Sequence, residues 1–185
     1  MLKDIEEQRG IRLTYDRGLL EIMAPLAPHE GYKKLLGRFV ETLTEELNIN
    51  IRSLGSGTSK REDLQRGFEP NQCYYIQNEP IVREIEQIDL NQYPPPDLII
   101  DIDITSSSIN QFDLYAFRVP EVWRYDGRRL RFYQLEEKQY LERNTSPTFP
   151  FLSPSEIVRF LEQQKTVGET AMIRLFREWV RSQTQ

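Results

Sequence analysis

The sequence predicts a mixed α/β domain in which helices flank a central sheet. One observation is a nearly continuous run of β-branched apolar residues over 98–104, typical of a strand that is covered on both faces. A second is the helical spacing of apolar residues over 32–47 and 172–180, which places them on one face of each helix. A third is hairpin chemistry, since turn residues at 16–18 and 126–127 separate pairs of strand-like segments.

The N-terminal half is predicted to contain a hairpin, a long helix and two further strands. Asp16-Arg17-Gly18 is the expected hairpin turn, because Gly18 can adopt a positive φ. Pro25 and Pro28 end the second strand, because proline has no backbone N–H to donate. The expected segments are a hairpin over 11–23, a helix over 29–47, a strand and loop over 48–58, a charged turn, a strand over 69–76 and an irregular polar segment over 78–92.

The C-terminal half is predicted to contain the central strand, a hairpin and two closing helices. Three prolines, Pro94 to Pro96, keep any helix from running into the central strand. Ser153-Pro154-Ser155-Glu156 and Thr166-Val167-Gly168-Glu169 each have the capping-box pattern that marks a helix start. The expected segments are the strand over 97–105, a short helix over 109–118, strands over 122–125 and 130–135 joined at Asp126-Gly127, a third strand at 140–141, and two helices after residue 153.

These elements are expected to form a single domain over residues 1–185, with a core over 10–165 and a C-terminal helix over 166–185. A chain of 185 residues is long enough for one domain with a substantial core. The apolar stripe of the last helix is predicted to be a core or homodimer contact rather than a ligand-binding surface. It consists of Met172, Leu175, Phe176, Trp179 and Val180.

The overall charge limits how the chain could bind nucleic acid. The net charge is −5, so the chain has no overall basic field that would attract nucleic acid, and any such contact needs a local basic face. The arginines around the second hairpin are candidates for that face, although charged hairpin residues are usually only solvated. They are Arg118, Arg124, Arg128, Arg129 and Arg131.

The counts of cysteine and histidine limit the metal chemistry. One cysteine and one histidine cannot form a zinc ligand set or an intrachain disulfide, and Cys73 is expected to be a buried core thiol. The first residues carry early acids rather than an apolar core, and no long apolar run occurs, so neither a signal peptide nor a membrane span is expected. The expected location is therefore cytoplasmic.

Asp101 and Asp103 are the strongest candidates for chemistry. Alternation along the predicted central strand places both carboxylates on one face, where they repel each other and are costly to desolvate. A divalent cation would neutralise both, and Mg²⁺ prefers carboxylate oxygens. The alternative is that one aspartate lies at an exposed strand end or pairs with an arginine such as Arg118 or Arg124.

Other polar residues are weaker candidates. Glu69 and Asn71 flank Pro70 at the start of a strand, and a neighbouring strand with paired acids would complete a site for a metal, a water and a phosphate. Asp97 is either a third metal ligand or an acceptor in the turn that enters the strand. His29, the single histidine, and Glu21 have ordinary surface or capping roles as their alternatives.

Several segments together resemble the Uma-two family of restriction endonucleases. The similarity extends over about residues 10–165 in unchanged order, and its blocks are specific only in combination. They are Gly18-Leu19-Leu20-Glu21-Ile22-Met23, Pro28-His29-Glu30, the segment 67–76 around Glu69-Pro70-Asn71, the segment 96–105 that contains Asp101 and Asp103, and Val119-Pro120-Glu121-Val122-Trp123.

The resemblance implies a restriction-endonuclease-like core of order α-β-β-β-α-β, related to the PD-(D/E)XK nucleases. It implies that an acid after Pro70 and an acid at position 101 hold Mg²⁺ or Mn²⁺, and that a lysine assists the attacking water on DNA. This chain has Asn71 in place of the first acid. It has Asp103 where the lysine usually stands and Gln111 where the lysine of this family is expected.

Two function hypotheses follow. The first is Mg²⁺-dependent hydrolysis of DNA, with Asp101 as metal ligand, Asp103, Glu69 or Asn71 completing the shell, and Asp97 and His29 in support. The second is a catalytically silent relative that binds nucleic acid or a protein partner through the same groove. Asn71 and Gln111 favour the second, because an amide is a weaker ligand and carries no positive charge.

Overall fold

The computed structural model describes residues 12–16, 19–23, 27–55, 59–61, 66–68, 70–104 and 118–184. Their strands are β1 (Arg12–Asp16), β2 (Leu19–Met23), β3 (Arg52–Leu54), β4 (Ser59–Arg61), β5 (Arg66–Phe68), β6 (Gln72–Tyr75), β7 (Leu98–Ile102), β8 (Glu121–Tyr125), β9 (Leu130–Glu136) and β10 (Gln139–Arg143). Their helices are α1 (Ala27–Glu46), α2 (Glu79–Val82), α3 (Pro154–Val167) and α4 (Glu169–Gln183).

A six-stranded mixed sheet organises the structure, in the order β10-β9-β8-β7-β6-β3. β7 and β8 are parallel, whereas the other neighbouring pairs in this sheet are antiparallel. Every residue of β7 is buried, which confirms the prediction of a central strand covered on both faces. The hairpin of β8 and β9 forms around Asp126 and Gly127 as predicted, with Gly127 at φ 89°.

The two faces of β7 contribute to different apolar clusters. Leu98, Ile100 and Ile102 belong to the larger cluster, together with residues of α1, α3 and α4. Ile99 belongs to a smaller cluster on the other face with Cys73 of β6. Cys73 is buried as predicted, and burial raises the pKa of its thiol to about 12. The alternation along β7 therefore assigns its odd-numbered residues, including Asp101, to the face that does not bear the helices.

Three helices pack together on the larger cluster through aromatic side chains. Phe176 of α4 contacts Phe39 of α1 edge-to-face at 4.6 Å and Phe160 of α3 at 5.1 Å between ring centroids. Of the predicted apolar stripe on α4, three residues are fully buried, Trp179 packs at the edge of the core and Leu175 is exposed. Most of the stripe is therefore intramolecular core.

The N-terminal hairpin is confirmed, since β1 and β2 pair in antiparallel register. The segment predicted as a charged turn instead contains β4 and β5, which join that hairpin in a second sheet of order β2-β1-β5-β4. Their short, charged sequences lack an alternating pattern, so only their pairing reveals them, β5 with β1 and β4 with β5. The segment predicted to be irregular contains the one-turn helix α2.

The two predicted capping boxes have different outcomes. Ser153 does cap α3, since its Oγ accepts a hydrogen bond from the Glu156 N–H, and Pro154 occupies the first turn. The second prediction is wrong, because α3 continues through Val167 and the Thr166 hydroxyl donates to the Gln163 carbonyl. Gly168 separates the helices instead, with φ 81°, a conformation that glycine adopts without strain.

The predicted helix over 109–118 lies outside the described residues except for Arg118, a turn residue with φ 65°. Among the helices that the structure describes, none combines the length and the apolar character needed to cross a membrane.

Candidate active site

Asp101 and Asp103 lie at the end of β7 and both face the guanidinium group of Arg124. Asp101 is completely buried, and its Oδ2 atom is 3.8 Å from Arg124 Nε. Asp103 forms an ion pair with Arg124 Nη2. The two carboxylates therefore lie on the same side of the strand, as alternation predicts, and Arg124 rather than Arg118 is the arginine that contacts them.

The pairing of β7 with β8 explains how Arg124 reaches both acids. In the parallel register, Asp101 is the partner of Arg124, and Ile102 is the partner of Tyr125. The Asp103 N–H donates to the Tyr125 carbonyl at 2.9 Å, so the ladder continues past the end of β7. This backbone pairing holds the Arg124 cation beside two carboxylates that lie much earlier in the sequence.

Exposure differs within this group. The Asp101 side chain is 0% exposed, whereas those of Asp103 and Arg124 are 13% and 17% exposed. A ligand that approaches from solvent would therefore meet Asp103 and Arg124 before it reached Asp101.

Asn71 lies immediately before β6 and connects the start of that strand to the end of β7. Its Oδ1 atom accepts a hydrogen bond from the Ile102 N–H at 2.7 Å, and its own N–H donates to the Ile100 carbonyl at 3.1 Å. Asn71 is buried, and these two hydrogen bonds are to the backbone of the residues before and after Asp101. The predicted proximity of Asn71 to the two aspartates is confirmed.

His29 lies in the first turn of α1 and touches both Asn71 and β7. Its Nε2 atom is 3.1 Å from the Ile102 carbonyl and 3.2 Å from Asn71 Nδ2. Because Asn71 Oδ1 is an acceptor, the Nδ2 atom of the same amide is a donor. An Nε2 atom without a proton therefore accepts a hydrogen bond from Asn71, whereas an Nε2 atom that carries a proton donates to the Ile102 carbonyl. His29 therefore lies beside the backbone of Ile102, between the two aspartates, and its burial does not fit the alternative of a surface histidine.

Asp97 lies at the opposite end of β7 and is not part of this group. Its Oδ2 atom accepts from the N–H groups of Ile76 and Asn78 at 2.6 and 3.0 Å, and its Oδ1 accepts from Asn78 Nδ2 at 2.7 Å. Asp97 and Asp101 are four positions apart along the strand, about 13 Å. Asp97 as a metal ligand is therefore corrected to the alternative, a turn acceptor at the strand entry.

Three candidates cannot be placed. Glu69 and Gln111 lie outside the described residues, and of Glu21 the structure describes only the backbone, in β2. Within the described part of the chain, no group of three or more histidine, cysteine, aspartate or glutamate side chains is arranged to hold a metal ion.

The acidic pair still fits the chemistry of a magnesium ion. Mg²⁺ is commonly bound by one or two carboxylates, with water and substrate phosphate as its other ligands. Asp103 Oδ1 is buried and accepts no hydrogen bond, so it is an oxygen suited to such a ligand. Asn71 fits less well, because its one side-chain oxygen already accepts from Ile102.

The other arginines near the turn between β8 and β9 are largely solvated. The N–H groups of Arg128 and Arg129 donate to Asp126 Oδ1, and Arg131 pairs with Asp126 Oδ2 at 3.3 Å. Burial raises the pKa of the nearby Tyr133, and the charges of Arg131 and Arg124 partly oppose that increase. Arg124 is thus the member of this set whose charge is directed toward the acidic pair.

Sequence reasoning missed another buried carboxylate, Glu121 on β8. Its Oε1 accepts from Trp123 Nε1 and the Ser146 hydroxyl, both at 2.6 Å, and its Oε2 accepts from the N–H of Thr148 at 2.8 Å. These donors join β8 to the turn before α3, which is a structural role. No local pattern reveals it, since the donors come from a distant turn.

Comparisons with known proteins agree with this architecture. A family model, Uma2, described as "Putative restriction endonuclease", matches residues 1–165. The chain is also similar to a crystal structure described as a putative nuclease belonging to DUF820 from Anabaena variabilis ATCC 29413. That likeness has 16% identity and a TM-score of 0.52, and it covers 80% of this chain and 89% of the other. No curated protein matches this chain. The restriction-endonuclease-like fold is confirmed.

Proposed function

Because the chain belongs to the Uma2 family, whose model matches residues 1–165, we propose that it is a metal-dependent endonuclease that hydrolyses DNA at a reduced rate. The observation that carries this proposal is the placement of Asp101 and Asp103 at one end of the central strand, beside the guanidinium group of Arg124. Paired carboxylates with one cation are the side chains that phosphodiester hydrolysis needs, and the fold presents them at a strand end.

Asp101 and Asp103 would hold the ion, Mg²⁺ or Mn²⁺. The ion would act as a Lewis acid on the phosphate and would lower the pKa of a bound water. Asn71 and His29 would act as positioning residues, since both contact the backbone of Ile102, between the two aspartates. They thereby fix the direction in which the end of β7 presents its carboxylates.

The reduced rate follows from two side chains. Asn71 provides an amide where the family resemblance implies a carboxylate, and Gln111 provides no charge where it implies a lysine. Removing one electrostatic stabiliser of the transition state typically lowers the rate by about two to three orders of magnitude. Cleavage by the parent protein should therefore be weak.

The test compares Mg²⁺-dependent cleavage of DNA by four purified proteins. They are the parent, Asp101→Ala, the double variant Asn71→Asp with Gln111→Lys, and the control Asp89→Ala, which removes an exposed carboxylate in the segment around α2. We expect weak cleavage by the parent and by Asp89→Ala, none by Asp101→Ala, and a rise of at least about tenfold in the double variant.

Two results would contradict the proposal. Strong parental cleavage that Asp101→Ala abolishes would show that the site is fully active without the carboxylate at 71 and the lysine at 111. No cleavage even from the double variant would exclude an endonuclease that these two changes have weakened.

A second candidate is a silent DNA-binding protein with the same fold. The observation in its favour is that the side chains of Asn71 and Arg124 already bind groups of the site itself, the first the N–H of Ile102 and the second both aspartates. Its signature would be binding of duplex DNA without cleavage, at an affinity that does not depend on Mg²⁺. The apolar stripe of α4 gives little support to a homodimer, because most of it is core.

A further inference from the structure

We infer that Arg124 supplies part of the positive charge that is absent at positions 103 and 111, by contacting the phosphate group that is cleaved. The inference rests on the proposed nuclease function and adds a residue to its site. Position 103 holds an aspartate and position 111 a glutamine, so neither can provide a cation. Arg124 comes from the neighbouring strand β8 and contacts both carboxylates of the site.

The shape of the guanidinium group allows it to serve carboxylates and phosphate together. Arginine has five N–H donors in a planar fork, and two of its nitrogens, Nε and Nη2, face Asp101 and Asp103. The fork matches the oxygens of a phosphate, as it matches those of a carboxylate. Because the Arg124 side chain is 17% exposed, a phosphate can reach it from solvent without entering the closed environment of Asp101.

The charge balance gives a reason for Arg124 to change partners. Among the described residues, the guanidinium group of Arg124 contacts both carboxylates. A divalent cation on the carboxylates would compensate them instead, and Arg124 would then bind the phosphate oxygens. A water oxygen forms a bond to phosphorus as one ester P–O bond breaks, the water releases a proton to solvent, and the leaving oxygen takes one up. Negative charge grows on the phosphate in this step, and the guanidinium group stabilises it.

This role predicts opposite effects of Arg124→Gln on two measurements. The cleavage rate at saturating Mg²⁺ should fall by about two to three orders of magnitude, because a stabiliser of the transition state is lost. Binding of Mg²⁺ without DNA should tighten by roughly tenfold, because a competing cation next to the carboxylates is lost. A purely structural salt bridge would give weaker binding together with slower cleavage.

Two further variants keep the test interpretable. Arg124→Lys retains a positive charge beside Asp101 but lacks the planar fork, so it should fold and cleave DNA more slowly than the parent and faster than Arg124→Gln. Arg143→Gln is the matched control, since Arg143 lies in the same sheet on β10 and pairs with Glu136. It should leave metal binding and cleavage unchanged. Thermal unfolding of each variant checks the fold.

A binding measurement separates the failure of this inference from the failure of the proposed function. Affinity for duplex DNA is measured over a range of salt in Ca²⁺, with which we expect binding without turnover. Arg124→Gln should lower the salt slope by about one phosphate contact, and Arg143→Gln should not. If the parent never cleaves DNA, the nuclease proposal fails. The change in the salt slope then tests the phosphate contact of Arg124 by itself.

The inference is overturned if Arg124→Gln cleaves DNA as fast as the parent. It is also overturned if Arg124→Gln folds with an unchanged salt slope, or if Arg124→Lys loses metal binding and cleavage together. The last result would show that Arg124 only holds β7 and β8 in place.

Discussion

The two ends of strand β7 hold carboxylates in different ways. At the entry, Asp97 accepts hydrogen bonds from two backbone N–H groups and from the Asn78 side chain. At the exit, Asp101 and Asp103 face the side-chain cation of Arg124. Backbone donors cannot leave without unfolding the turn, whereas a guanidinium group can rotate away. The entry is therefore suited to stability and the exit to binding a ligand.

This difference teaches that burial alone does not identify a functional acid. Asp97 and Asp101 are both buried on the same strand, and both follow apolar or proline-rich sequence. The described partners differ, because the carboxylate of Asp97 accepts from fixed backbone donors, whereas that of Asp101 faces a side-chain cation that a metal can replace. Four changes test the comparison, from the largest expected effect to the smallest.

Replacing Asp97 should have the largest effect on stability. Asp97→Ala leaves the N–H groups of Ile76 and Asn78 without their acceptor, and each buried unsatisfied group costs about 1–3 kcal/mol. We expect a loss of about 3–4 kcal/mol in the free energy of unfolding, measured with urea. Asp89→Ala should change it by less than about 0.5 kcal/mol. A loss below about 1 kcal/mol for Asp97→Ala would remove the structural role assigned to the entry.

Adding Mg²⁺ should stabilise the exit and not the entry. At a concentration of 100 times the dissociation constant, a ligand that binds only the folded state adds about 2.7 kcal/mol to the free energy of unfolding. The parent and Asp97→Asn should both gain this increment over samples in chelator, and Asp101→Asn should not. Equal stabilisation of Asp101→Asn by Mg²⁺ would place the metal elsewhere.

Cys73 shows how burial changes the pKa of a side chain that has no ionic partner among the described residues. It lies on β6 and pairs with Ile99, midway between the two ends of β7. Burial raises the pKa of its thiol to about 12. The unfolded chain loses this proton near pH 9, so stability contributed by the protonated thiol is present below pH 9 and declines as the pH rises toward 12. Between pH 8 and 10, the parent should lose about 1 kcal/mol more than Cys73→Ala in urea unfolding. Parallel pH profiles would contradict the raised pKa.

The smallest effect is expected for Asp101→Asn in the absence of metal. The change keeps the shape of the side chain, removes one of two mutually repelling charges, and leaves Arg124 paired with Asp103. The free energy of unfolding should change by less than about 1 kcal/mol, and by clearly less than for Asp97→Asn. A cost for Asp101→Asn that equals or exceeds that of Asp97→Asn would show that the exit is also a structural site.

The sequence by itself determined the elements whose signals are local. The N-terminal hairpin, the long helix α1, the buried strand β7, the turn at Asp126 and the Ser153 cap all follow from periodicity or turn chemistry within a few residues. Alternation also placed Asp101 and Asp103 on one side of their strand. The resemblance to a family supported Asn71 and His29 as candidates for the same site, and the structure places both beside the backbone of Ile102.

Only the tertiary structure decided which partners these residues have. It chose Arg124 over Arg118, showed that Asp97 is a turn acceptor, and placed β4 and β5 in a second sheet. Each outcome depends on the register between strands that are distant in the sequence. Hydrophobic period and turn residues fix which face a side chain takes, but the neighbour across a sheet is set by how whole strands align. The chemistry at the end of β7 belongs to that alignment.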